Sequence, residues 1–156
     1  MHLRRIVSTT VALLLLASAV VLAPEAHAHD ARDPQEAANM LLWMLNEERS
    51  ARGIPLARPR DDVIPMAVDH SGDMAREGRL WHNEDYFTEA NRTRLDAGAL
   101  GENVGYGPTV REIHDALMAS ESHRHVLLSG RYTVVGIGVV RSGDRWWITQ
   151  DYVEPR

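Results

Sequence analysis

The C-terminal end of the chain most restricts what it can fold into. TVVGIGVV (133–140) and WWITQDYV (146–153) are β segments joined by RSGDR, a connection of hairpin length. On the first, Val135, Ile137 and Val139 share one face, and Gly136 and Gly138 share the other. A strand face made of glycine is bare backbone, so a helix can approach it more closely than side chains would permit. A small, mainly antiparallel sheet between helices follows, which places the chain in the α+β class.

Helix signals fill the rest. Asp33 reads as an N-cap, with Pro34 at the first helical position and Glu36 closing a capping box. Ala37, Met40, Leu41, Met44 and Leu45 then recur at helical spacing. Asp62 reads as the cap of a second helix ended by Gly78, on which Val63, Ala67, His70 and Met74 share a stripe, so His70 reads as a core-lining residue. RLWHNEDYF reads as strand or loop, TEANRTRLDAG as a short polar helix closed by Gly98, and LGENVGYG as a strand. Thr109 and Glu112 form another capping box, and SESHRHVLLSG adds one or two helical turns.

The chain has no cysteine, which removes thiol nucleophiles, thiolate metal sites and disulfides at one stroke. Its formal charge is −5 and every basic residue is arginine, without a basic cluster, so nucleic acid is excluded as a partner. The chain opens with Met1-His2-Leu3-Arg4-Arg5, an apolar run over Val11–Ala23 and the small-x-small site Ala26-His27-Ala28, the pattern of a secretory signal peptide. The expected organisation is a signal peptide over 1–28, a lead-in with the start of the first helix over 29–37, and one domain over 38–156. The product would begin at His29, be secreted to the exterior or cell envelope, and hold no membrane span after cleavage. An amino-terminal His29 offers copper an amine and a ring, but it has no evident partner histidine.

LNEERSARGIPL, DMAREGRLWHN, GENVGYG, MASESHRHVLL, VVGIGVV and WWITQDYV stand in this order and spacing in one known family. The chain resembles the SCP domain of the CAP superfamily (cysteine-rich secretory proteins, antigen 5 and pathogenesis-related 1 proteins), in particular its short, cysteine-poor bacterial members. The resemblance runs from about Ala38 to about Val153. It implies a three-layer α-β-α sandwich with a small antiparallel sheet between helices. It also implies a cleft lined by two histidines and two acids that binds a divalent metal in some members. By position, His82 in WHN matches the first histidine, Glu102 in GEN the first acid and His123 in SHR the second histidine. At the second acid the chain departs: Ala116 stands where tryptophan is usual, Glu112 is used by the capping box, and Glu121 is the nearest acid, shifted in register.

The residue chemistry leaves three readings open. Two neutral imidazoles and a carboxylate, His82, His123 and Glu102, can fill three positions of a zinc or other divalent-metal site and leave a fourth for water. They can instead form a hydrogen-bonded polar cluster, or the polar floor of a groove for a peptide, glycan or lipid. No G-x-S-x-G and no H-E-x-x-H is present. The expectation is therefore a secreted binding module for an extracellular or envelope ligand. The alternative is a metal-assisted hydrolase of peptide or cell-wall bonds, with Glu102, His82 and His123 as its catalytic group.

Overall fold

The computed structural model describes residues 30–156; the expected signal peptide and His29 lie outside the described residues. In chain order the elements are α1 (Pro34–Ser50), β1 (Arg58–Pro59), α2 (Ile64–Glu77), a 3-10 turn (Glu84–Phe87), α3 (Glu89–Arg94), β2 (Ala97–Gly107), α4 (Val110–Ala119), α5 (Glu121–Leu127), β3 (Val134–Ser142) and β4 (Arg145–Pro155). The four strands lie in the order β1-β3-β4-β2. The β3–β4 hairpin and the β2–β4 pair are antiparallel, while short β1 runs parallel to β3. Helices cover both faces, giving an α-β-α sandwich.

The glycine face behaves as the sequence demands. A Cβ placed on Gly138 would lie 2.1 Å from the carbonyl carbon of Ala67, and one on Gly136 would lie 2.6 Å from that of Val63. Backbone of α2 therefore rests directly on backbone of β3. On the opposite face, Val135, Ile137, Val139, Trp146, Ile148 and Tyr152 meet Leu41 and Leu45 of α1 and Ile113 and Leu117 of α4 in the main core. Trp147 faces the α2 side with Met74 and Val104, so both tryptophans of the pair are core, on opposite faces.

Several helix ends differ from the sequence expectation. Asp62 does not cap α2: it pairs with Arg60, and the cap position falls to Val63 without a side-chain bond. Glu36 accepts from the Arg32 N–H (2.8 Å), one residue before the expected partner, while the Glu36 N–H donates to Asp33 as a capping box requires (2.9 Å). The polar helix α3 stops at Arg94; Asp96 takes a left-handed φ of 49° and Gly98 already belongs to β2. The lead-in is tied into the fold. Asp30 accepts from the Val110 N–H at the start of α4 (3.0 Å) and from the Trp146 indole (2.8 Å). No local pattern could announce a cap supplied from 80 residues away.

With no disulfide available, a buried arginine ties segments together. Arg49, at the end of α1, donates to the carbonyls of Leu127 (2.8 Å), Pro55 (3.2 Å) and Tyr132 (2.6 Å). Its guanidinium reaches the last carbonyls of α5, where a cation is favoured by the helix dipole. Burial holds its pKa below the usual arginine value.

Two outcomes test this packing. Gly138→Ala should lower the unfolding free energy by at least about 3 kcal/mol, because the obstructing atoms are backbone. Gly130→Ala, whose Cβ would meet only ordinary contacts at 3.7 Å, should change it by less than about 0.5 kcal/mol. Equal urea midpoints for the two variants would contradict the close approach. The second concerns His114 on α4, buried with neither ring nitrogen partnered and under the field of Glu48 on α1. Burial pushes its pKa below 6.5, so the unfolded chain takes up a proton before the folded one does. Stability is then complete above pH 6.5 and declines as pH falls below it. Urea melts at about pH 7.5 and about pH 5.5 should show a smaller acid loss for His114→Leu than for the parent chain.

Candidate functional site

Strand β2 carries two polar residues in succession, and alternation sends them to opposite faces. Glu102 points to the α2 side and is fully buried in its side chain. Asn103 points to the other side, where its amide donates to the His123 carbonyl on α5 (3.2 Å). The loop after α2 folds over the edge of β2 and brings Trp81, His82 and Asn83 above Glu102.

The Glu102 carboxylate is hydrogen-bonded by the loop above it. Its Oε1 accepts from the His82 Nδ1–H (2.6 Å) and the Asn83 N–H (3.1 Å), and its Oε2 shares the Asn83 N–H (3.3 Å). His70 stands behind, with Nε2 3.9 Å from Oε2. That nitrogen carries its proton toward the Trp81 carbonyl (2.8 Å), while the ring meets the Trp81 indole edge-on at 5.2 Å. His70 is thus the core-lining residue expected of it, and it also props the loop that holds His82.

One member of the site was not foreseen. Asp151 lies directly across from Glu102 in the β2–β4 register and across from Gly136 in the β3–β4 register. It is completely buried, and among the described residues no N–H or O–H group is aimed at either of its oxygens. Burial first, and the neighbouring Glu102 charge second, push its pKa up to about 9. Asp151 therefore keeps its proton at neutral pH and can donate it in a hydrogen bond to Glu102. The sequence did carry a signal: an acid in the middle of an otherwise apolar strand face, in WWITQDYV.

This arrangement fixes the tautomer of His82. With Nδ1–H held by Glu102, Nε2 is the lone-pair nitrogen, and it belongs to a side chain that is 54% exposed. His123, the third residue of α5, is close enough to feel His82 when that ring is protonated. Partial burial and, second, that charge hold its pKa below the ordinary 6.5. His82 stands over the α2 side of β2 beside Glu102, and His123 stands on the other side, where its carbonyl accepts from Asn103. Glu102 does not face His123; it lies behind His82, spent on hydrogen bonds. Among the described residues no three His, Asp or Glu side chains converge as a metal-holding group. Of the expected donors, Glu102 is engaged by His82 and Asn83 behind the ring rather than beside it. Glu121 is exposed at the first position of α5 and lines an outer concavity with His125 rather than the His82 side.

Beside His123 an apolar groove of about 380 Å³ runs along the end of β2, between Leu80 on one side and Ala116 and Leu117 of α4 on the other. Glycines at 105 and 107 let Ile113 seat against the strand: a Cβ there would meet it at 2.8 and 2.9 Å.

The acid pair generates a pH prediction. Unfolded, Asp151 gives up its proton near 3.8; folded, it keeps it to about 9. Folding therefore takes up a proton across that interval, and stability falls as pH rises through it. Asp151→Asn keeps the shape and a donor for Glu102, so its melting temperature should drop less than the parent's between about pH 7 and about pH 9. Parallel curves would show that Asp151 is already ionised at neutral pH.

The model of the cysteine-rich secretory protein family, CAP, matches residues 42–152. In sequence the chain is 28% identical over 115 residues to the uncharacterized protein YkwD of Bacillus subtilis (strain 168), a match covering 70% of this chain and 44% of that protein. It is also 28% identical over 123 residues to the uncharacterized membrane protein YlbC of the same organism, covering 73% and 33%. The chain thus spans less than half the length of these relatives. In structure it is similar to an extracellular protein containing a SCP domain from Bacillus anthracis str. Ames, with TM-score 0.67 and 22% identity over 78% of this chain and 41% of that one. It is also similar to an outer surface protein from Borrelia burgdorferi, with TM-score 0.70 and 15% identity over 82% and 98%. At these identities the likeness is one of fold.

Proposed function

The chain belongs to the CAP family of cysteine-rich secretory proteins, and on that footing we propose that it is an extracellular or cell-envelope binding module. Its cleft lies at the edge of β2, with the outward Nε2 of His82 and the ring of His123 as its polar contacts. One observation carries this reading: the buried carboxylate of Glu102 is hydrogen-bonded by the His82 ring and the Asn83 N–H. A catalytic base needs an oxygen within reach of substrate. Glu102 lies buried behind the His82 ring, where it holds one imidazole in one orientation. The neighbouring groove supplies apolar surface, as ligand sites usually do. Relatives whose names place them outside the cell or on its surface agree with the proposed location. Among the described residues no helix is long and apolar enough to cross a membrane.

The rival reading, a metal-assisted hydrolase, draws on the same dyad, because a carboxylate behind an imidazole is also how metal-ligating histidines are held. It lacks a third donor among the described residues.

The two readings separate in one experiment. Peptide, glycan and lipid fractions of a bacterial envelope digest are titrated into the isotope-labelled protein while the His82 and His123 ring signals are followed. The binding reading expects one fraction to shift both rings without being consumed, and His82→Ala to weaken its binding about tenfold or more at a temperature where the variant is still folded. Consumption of a fraction that is lost in Glu102→Gln would replace the binding module with an enzyme.

A further inference from the structure

Behind His123, on the α1 side of the sheet, three polar side chains are sealed from water. Tyr152, Gln150 and Asn103 are all fully buried. Alternation puts Gln150 and Tyr152 of β4 on one face, and Asn103 lies directly across from Gln150 in the β2–β4 register. The direction of each hydrogen bond follows from what its partner can do. The His123 carbonyl is only an acceptor, so Asn103 turns its Nδ2–H toward it (3.2 Å) and keeps Oδ1 on the other branch of the amide. The Tyr152 hydroxyl donates to Gln150 Oε1 (3.0 Å), which leaves Nε2 as the unspent end of that amide.

Among the described residues, Asn103 Oδ1 and Gln150 Nε2 have no hydrogen-bond partner, and both are shut off from solvent. One is an acceptor and the other a donor, on residues that oppose each other across the strand pair. Leaving both unmatched in a dry interior is costly, and each is what the other lacks. Arg49 stands at the far end of the row. Its guanidinium carbon lies 6.0 Å from the centre of the Tyr152 ring, and its Nε–H donates to the Leu127 carbonyl (2.8 Å). Helix α5 is therefore gripped twice from the interior, at His123 by Asn103 and at Leu127 by Arg49.

We propose that Gln150 and Tyr152 are positioning residues for His123, with the Gln150 amide serving as the donor for Asn103 Oδ1 across the strand pair. The result is one directed row, from Tyr152 through Gln150 and Asn103 to the His123 carbonyl, in which each amide has a single workable orientation. Without a donor at residue 150, Asn103 gains nothing by keeping its Oδ1 inward, and the His123 carbonyl loses its partner. The inference rests on the reading of His123 as a ligand contact and deepens it. The two imidazoles are set independently, His82 by the acid on the α2 face of the sheet and His123 by amides on the α1 face.

The test follows the ring signals of His82 and His123 and the side-chain amide signals of Asn103 by magnetic resonance of the isotope-labelled protein. No ligand is added, and the pH is held constant at a temperature where every variant is folded. Gln150→Met keeps the length of the side chain but has no donor. It should displace the Asn103 amide and His123 ring signals and move those of His82 less. It should also speed exchange of the Leu128 amide, which bonds to Arg124 of α5, by at least about fivefold. Tyr152→Phe removes one oxygen and frees Gln150 to turn over, so it should act in the same direction to a smaller degree. Thr149→Val is the comparison: it breaks the buried bond from Ser71 on the opposite face, one residue along the same strand, and should leave the Asn103 and His123 signals in place. His123 signals that keep their parent positions in Gln150→Met would overturn the inference, as would an equal displacement by Thr149→Val. If Gln150→Met does not fold, Tyr152→Phe decides by the same criterion. Because the measurement contains no ligand, a fruitless search among envelope fragments leaves this inference standing, and its own failure leaves the binding reading intact.

Discussion

The contact of α2 backbone on the glycine face of β3 sets the geometry of everything on that side of the sheet. With Val63 and Ala67 resting on Gly136 and Gly138, α2 lies lower than any helix could over side-chain-bearing residues. At that height Ser71 reaches the Gly138 carbonyl (3.1 Å) and the Thr149 hydroxyl (2.9 Å), and His70 comes within 3.9 Å of Glu102. The same descent roofs Asp151, which faces Gly136 across the strand pair and is sealed from water. Raise the helix by one methyl group and the dry environment that keeps Asp151 protonated would open.

The acids beneath His82 show how a fold can bury charge without a basic counter-ion. Two adjacent carboxylates, both ionised in a dry interior, would repel strongly. One proton shared at Asp151 leaves a single negative charge, and the Asn83 N–H and the His82 ring dissipate it. Each partner depends on the others: Glu102 orients His82, Asp151 relieves Glu102, and His70 steadies the loop from behind. A cluster so coupled holds one imidazole in a fixed direction.

Much of this was legible in the sequence because it is local. The Gly136/Gly138 alternation, the Asp33 and Thr109 caps and the stop at Gly78 each depend on a few neighbouring residues, and each leaves a pattern. Asp62 misled because its strongest partner, Arg60, lies two residues back rather than at the helix start. Asp30 was illegible for a different reason: its role exists only across 80 residues of chain and leaves no spacing to read. Asp151 stood out as an acid within an apolar strand, but its pairing with Glu102 exists only across strand register. Glu102 and His82 were recognisable as residues, but their relation was not. Sequence could suggest that they meet, yet not that the acid would be used up behind the imidazole rather than beside it.

Arg49 governs the order in which the structure can close. Its three carbonyl partners include Leu127 and Tyr132, 78 and 83 residues further along the chain. Until α5 has formed and the strand after it is docked, the guanidinium has nowhere to go but water. In a chain without cysteine, that one side chain ties the end of α1 to α5 and to the segment before β3, closing loops of 78 and 83 residues.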